Sequence, residues 1–202
     1  MGAYQAPWWR SFGDGRRVQQ AARLAVMVVV GSVLLVAVIS SCVDGVVRTV
    51  ELDEQAAQRS QAMAAEFHQQ VAFFDRNGSS SPTVMARAVK AVQPDNRPLV
   101  AAVAVVESNG HPQAVGDGGR SRGAWQVQAR HWGEVPRDAA AQALQAEQIL
   151  MELVAAVEQR EVLRWRTALA RYNGGVSPPG VSYYYADRVL MLAWQNAIGG
   201  LL

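Results

Sequence analysis

Residues Leu24 to Val43 carry no charged side chain and are mostly Val, Leu, Ala and Ile. As a helix this run reaches roughly 30 Å, the thickness of a bilayer core. A buried core helix is the competing reading, but a run this long without a charge favours a membrane span. Arg10, Arg16, Arg17 and Arg23 precede it against Asp14 alone, while Asp44, Glu51, Asp53 and Glu54 follow it with Arg48 between. The positive-inside rule places residues 1–23 in the cytoplasm and everything after Asp44 on the far side. Trp8 and Trp9 are candidates for the interface. Ile39-Ser40-Ser41-Cys42 loosely matches the cleavage signal of bacterial lipoproteins, but the polar stretch before it is long for a cleaved signal, so an uncleaved anchor is preferred. Either version delivers the remainder to the same compartment.

The residues after the span divide at a turn-rich break. From Val46 to Phe74 the chain lacks Pro, and Leu52, Ala56, Met63, Phe67, Val71 and Phe74 fall on one helix face. We read residues 44–83 as a helical neck and linker. The neck's apolar stripe would pack on the domain beyond or pair with a second copy as a short coiled coil. Asn77-Gly78-Ser79-Ser80-Ser81-Pro82 has turn chemistry throughout and reads as a linker or hinge. Beyond it the pattern is helical. Thr83 caps a helix over Val84 to Val92, and Leu99 to Ser108 is a buried helix. Asp138 caps an amphipathic helix from Ala139 to about Gln159, and another over Glu161 to Tyr172 stops at Asn173-Gly174-Gly175. A last helix runs from Tyr183 to Ala197. No convincing alternating run occurs, so residues 84–202 form a mainly α domain.

The chemistry concentrates in one stretch of that domain. The apolar run Leu99 to Val106 ends in Glu107-Ser108, and a glycine-rich loop, Gly116-Asp117-Gly118-Gly119, leads to Gly123-Ala124-Trp125-Gln126-Val127-Gln128. A carboxyl at the end of a buried element is desolvated, which raises its pKa. Such a group stays protonated near neutral pH and can give a proton to a leaving oxygen. Glu107 is the candidate acid. Other classes find little support. The formal charge of +2 over 202 residues, with Arg scattered, gives no case for nucleic acid. Cys42 is the only cysteine, so no internal disulfide forms. His68 reads as solvated, and His111 and His131 lack ligand-spaced partners, so neither a metal nor a cofactor is expected.

Four motifs in register, Glu107-Ser108, Gly123-Ala124-Trp125-Gln126-Val127, Ala170-Arg171-Tyr172-Asn173-Gly174-Gly175 and Tyr185-Ala186-Asp187-Arg188-Val189, resemble the soluble-lytic-transglycosylase (SLT) domains of the lysozyme-like superfamily, relatives of goose-type lysozyme. The resemblance covers roughly Val84 to Trp194. It implies a lysozyme-like fold that cleaves the MurNAc–GlcNAc bond of peptidoglycan with Glu107 as acid and then base, leaving a 1,6-anhydro end. By the same resemblance Ser108 steadies the environment of Glu107, Gln126 borders the sugar site, Tyr172 and Asn173 line the cleft, and Tyr185 hydrogen-bonds the carboxyl. Tyr183 and Tyr184 are its neighbours, and three consecutive helix positions do not share one face.

Two departures from the family pattern bear on mechanism. Ala124 and Trp125 replace its usual aliphatic and Met residues; Trp125 either stacks on a sugar face or fills core, and the cleft is preferred because Trp suits half-exposed sites with one polar end. Asp117 reads first as a turn residue beside glycines; aimed across the cleft it would instead position water and make the enzyme a hydrolase. Arg120, Arg122 and Arg130 are either solvated or meet carboxylates of the substrate. A non-catalytic, glycan-binding structural component is the remaining alternative. An anchored domain of this kind suits local wall opening for a secretion or conjugation machine, or for a bacteriophage entering or leaving its host, with the virion membrane as a further location.

Overall fold

The computed structural model describes residues 15–158 and 161–199; Trp8, Trp9 and the rest of residues 1–14 lie outside the described residues, as does Gln159. The described chain is mainly helical. It divides into two compact units, the first ending at Arg59 and the second starting at Ser60. Helix α1, Gly15–Arg76, contributes to both.

In the first unit every side chain described from Gln19 to Arg59 is exposed, including the whole Leu24–Val43 run and Cys42. Among the described residues one helix is long and apolar enough to cross a membrane. Within the run Ser32 donates its hydroxyl to Val28 O at 2.8 Å, four residues back. A hydroxyl satisfied inside its own helix costs little in an apolar setting.

The second unit begins with the end of α1, earlier than the expected boundary at residue 84. Phe73 and Phe74 are buried in its core, their rings edge to face with centroids 5.6 Å apart. Arg97 Nη1 meets Glu66 at 2.6 Å, Asn196 Nδ2 donates to Gln70 Oε1 at 3.2 Å, and Gln69 Nε2 donates to Asn196 O. The apolar stripe of the neck therefore divides. Its C-terminal turns pack into the second unit, while Leu52 and Met63 stay exposed. In the stretch 77–82, expected as a linker or hinge, Asn77 Nδ2 donates to Phe73 O at 2.8 Å and Ser79 Oγ to Gly110 O at 2.9 Å.

Helix α2 spans Pro82–Lys90, starting two residues earlier than Thr83 capping predicts, because Pro82 suits the first helical turn. Helix α3, Arg97–Ser108, is the centre of the fold, with every residue from Leu99 to Val105 buried. It explains the unbroken apolar run: a helix surrounded on all sides has no polar face to keep. Three two-residue strands, β1 Val115–Gly116, β2 Ser121–Arg122 and β3 Val127–Gln128, form a small antiparallel sheet in the order β1-β2-β3. They are too short to show alternation in the sequence.

A one-turn helix, α4, Ala129–Trp132, follows. Helix α5, Ala139–Ala155, is capped by Asp138, whose carboxylate accepts from Ala141 N at 2.9 Å. It ends before Gln159 is reached. Helices α6, Glu161–Gly174, and α7, Gly180–Ile198, complete the unit. The sharp joint between them depends on Gly174, where an added Cβ would lie 2.3 Å from Ser182 Oγ and 2.9 Å from Pro179 Cδ. Helix α7 begins three residues before Tyr183, directly after Pro179, which stands at its N-cap. Helices α3, α5, α6 and α7 share the core, with α7 against both α3 and α6.

Candidate active site

Glu107 sits on the last turn of α3. The helix stops just after it because Asn109 takes the left-handed conformation (φ 53°) and donates its N–H to Val105 O at 2.8 Å, while Gly110 N reaches Ala104 O at 2.9 Å. These bonds satisfy the terminal carbonyls of the helix. The residue keeps part of its surface open, but its carboxyl is shielded. Burial pushes its pKa from 4.5 to about 7, opposed by the hydrogen bond from Tyr185 and reinforced by the negative charge of Asp117. Desolvation wins here because an ionised carboxylate loses more on leaving water than one phenol returns.

Tyr185 Oη donates to Glu107 Oε1 at 2.6 Å. Its own pKa is raised well above 10 by burial and by the Glu107 and Tyr172 groups nearby, so it stays a donor. Helix α7 gives its three successive tyrosines different surroundings. Tyr183 lies under the guanidinium of Arg166, 5.0 Å from the ring centroid. Tyr184 is exposed. Arg166 also grips Asp187 with two bonds, Nε to Oδ1 at 2.6 Å and Nη2 to Oδ2 at 2.8 Å. Tyr185 is thus bracketed by two residues tied to α6.

Tyr172, on α6, donates its hydroxyl to Trp125 O at 2.7 Å. Burial and the proximity of Glu107 raise its pKa well above 10. Ser108 does not bond the acid. Its hydroxyl donates to Ala124 O at 2.8 Å and accepts from His111 N at 3.0 Å, which fixes the loops beside Glu107. Gln126 is half-buried with φ 49° and donates Nε2 to Gly123 O at 2.9 Å. A left-handed glutamine is uncommon, and such backbone tends to occur where a site over-determines it. Asn173 is exposed at the end of α6, with its Oδ1 accepting from Ser182 Oγ at 3.1 Å.

Trp125 corrects the expectation of sugar stacking. It is 0% exposed, and its indole Nε1 donates to Val100 O at 2.9 Å. No face of the ring is free for a ligand. A large aromatic with its one polar atom satisfied is a core residue, and here its backbone carbonyl serves the site while its ring fills the interior.

Asp117 lies in the tight turn between β1 and β2 with φ 52°. Its Oδ2 accepts from Ser121 Oγ and from Gln128 Nε2, the latter at 3.2 Å. It is a turn residue, but its charge also reaches Glu107. Arg120 Nε is turned to Asp117 O at 2.9 Å and Arg130 Nε to Gln128 Oε1 at 3.1 Å. Among the described residues no cluster of His, Cys, Asp and Glu is arranged to hold a metal. His68, His111 and His131 are all exposed.

The sequence reading overlooked Gln142. It is 3% exposed on the core face of α5, where Ala143, Ala146, Ile149 and Leu150 are its neighbours. An amide in that register is the signal that was available, since buried polar groups need partners. Oε1 accepts from Ala124 N at 3.1 Å, and Nε2 donates to Pro112 O at 3.3 Å and Pro136 O at 2.9 Å.

The arrangement is a shielded, protonatable carboxyl bonded by one phenol, with a second phenol and the carboxylate of Asp117 within electrostatic range. It can deliver a proton at neutral pH and take one back. Comparison of the chain with protein-family models, curated proteins and solved structures finds no match.

Proposed function

We propose that this protein is a membrane-anchored lytic transglycosylase with a lysozyme-like catalytic domain that cuts the MurNAc–GlcNAc β-1,4 bond of peptidoglycan. The observation that carries the reading is Glu107, a carboxyl raised to about 7 by burial and held at 2.6 Å by Tyr185. Glycoside cleavage requires an acid still protonated at working pH, and in lysozyme an apolar pocket keeps the acid in that state. The resemblance to SLT domains supplies the polymer and the product.

In the first step Glu107 transfers its proton to the glycosidic oxygen as the MurNAc C1–O bond breaks, and the leaving sugar departs with a free 4-hydroxyl. The hydrogen bond from Tyr185 stabilises the carboxylate so formed. Glu107 then takes the proton of the MurNAc 6-hydroxyl as that oxygen bonds to C1. The product is a 1,6-anhydro end, no water is consumed, and Glu107 is protonated again.

Asp117 favours a second reading. Its charge acts on Glu107, and a second carboxylate across a cleft would orient water for hydrolysis. Mass analysis of digested sacculi separates the two. Anhydro-muropeptides are expected; reducing ends alone would make the enzyme a hydrolase. Sacculi left uncut by the folded chain would remove both.

The exposed apolar run Leu24–Val43 supports a lipid-embedded anchor, because so large an apolar surface is not left to water. The flanking charges support a cytoplasmic N-terminus and a periplasmic or extracytoplasmic domain. An anchored enzyme works at a raised effective concentration on the wall beside its membrane.

A further inference from the structure

We propose that Gln142 is a positioning residue of this site, its side-chain amide fixing the loops that follow Glu107 and, through Ala124 and Trp125, the placement of Ser108 and Tyr172. The inference rests on the reading of Glu107 as the acid.

The amide joins three segments that no helix or extended sheet connects. Pro112 closes the loop that leaves Ser108, Ala124 opens the segment before β3, and Pro136 precedes α5. All three follow Glu107 in the chain, and Ala124 is tied to Ser108, the residue next to it. The Ala124–Trp125 segment is the hub: its first N–H goes to Gln142, its first carbonyl accepts from Ser108 Oγ at 2.8 Å, and its second accepts from Tyr172 Oη at 2.7 Å. Gly123 shows how closely the loop is fitted to the amide. An added Cβ there would lie 2.3 Å from Gln142 Oε1 and 2.8 Å from its carbonyl carbon, and its φ of 77° already excludes most side chains.

A polar side chain among alanines and aliphatics costs desolvation and rotamer freedom, which packing alone would not require. Its three bonds all go to backbone groups of irregular chain. Besides the amide, the short β2–β3 ladder and the bond from Gly123 N to Ala114 O at 2.9 Å support this turn, and a shift of the hub would let water reach Glu107. Gln142 therefore acts on the acid through others, without touching it.

The test uses the full chain in detergent micelles. Gln142→Met keeps length and removes the amide; Gln142→Asn keeps the amide and withdraws it by one methylene. Thermal unfolding sets the temperature at which each is folded, and 13C-carboxyl NMR follows the Glu107 titration without turnover. Activity on purified peptidoglycan gives kcat and KM against pH. We expect the Met variant to lose about tenfold in kcat with KM changed less than about threefold, and the Glu107 titration and alkaline limb to move down by roughly one pH unit as water enters. Asn should fall between Met and wild type, and is read alone if Met does not fold. A folded variant with the wild-type titration, pH limb and kcat overturns the positioning role. A wild-type chain that leaves peptidoglycan uncut overturns the catalytic reading instead, while the titration still decides whether Gln142 holds the carboxyl's surroundings.

Discussion

Replacing Glu107 by Gln tests the acid through stability and catalysis at once. The carboxyl has a pKa of about 7 in the folded chain and an ordinary value of 4.5. The folded state therefore binds this proton more tightly than the unfolded state. Between those two values the unfolded chain has lost the proton and the folded chain has not, so stability falls as pH rises from 4.5 towards 7 and levels off above. At about 1.4 kcal/mol per pH unit the loss is about 3 kcal/mol, an upper figure because the residue keeps some contact with solvent. Gln cannot ionise and keeps an oxygen for the Tyr185 hydroxyl. Glu107→Gln is thus expected to unfold at the same denaturant concentration as wild type near pH 4.5 and to be more stable by about 2–3 kcal/mol at pH 8. Urea unfolding at several pH values reads the difference, and zymography on peptidoglycan should show clearing lost at every pH. Equal pH dependence in the two proteins would mean that the carboxyl is hydrated and is no neutral proton donor. Undiminished clearing by the variant would remove Glu107 from the chemistry whatever its pKa.

The remaining predictions concern the partners of this carboxyl. Tyr185→Phe removes the bond that favours the ionised form, so the alkaline limb should move to higher pH while kcat falls by about 10–100-fold; a limb moved downward would contradict the role given to the phenol. Asp117→Asn removes a charge that holds Glu107 up, so the limb should move to lower pH. Anhydro-muropeptides should persist in that variant, whereas reducing ends made by the wild-type chain and lost in the variant would favour the water-positioning reading. Trp125→Phe leaves Val100 O without its donor and opens a gap in a fully buried site. It should cost about 1–3 kcal/mol in chemical unfolding, whereas an unchanged midpoint with weakened glycan binding would restore a ligand-facing indole.

Much of the architecture was legible along the chain. The long apolar run, the buried α3 and the Asp138 cap each announce themselves within a few residues, because hydrophobic period and capping are local properties. Glu107 was also legible, since a carboxyl ending an apolar run must lose water. Trp125 was not. Its composition suits a half-open site as well as a core, and only the approach of Val100 O and the closing of α3 around the ring decide between them. The limit of the neck was likewise hidden: Phe74 shares a stripe with Leu52, and what separates them is the core of the second unit, with α7 bonded to Gln70 near one end.

What the sequence determined by itself was the inventory: an apolar helix, a helical domain, one acid placed where burial would raise its pKa. What only the tertiary structure decided was company. That Tyr185 of three tyrosines meets Glu107, that Gln142 ties loops dozens of residues apart, and that Asp117 lies within electrostatic range of the acid depend on helices crossing at set points. Side-chain direction on a helix changes by about 100° per residue, so a partner's identity is fixed by packing angles that no local pattern encodes.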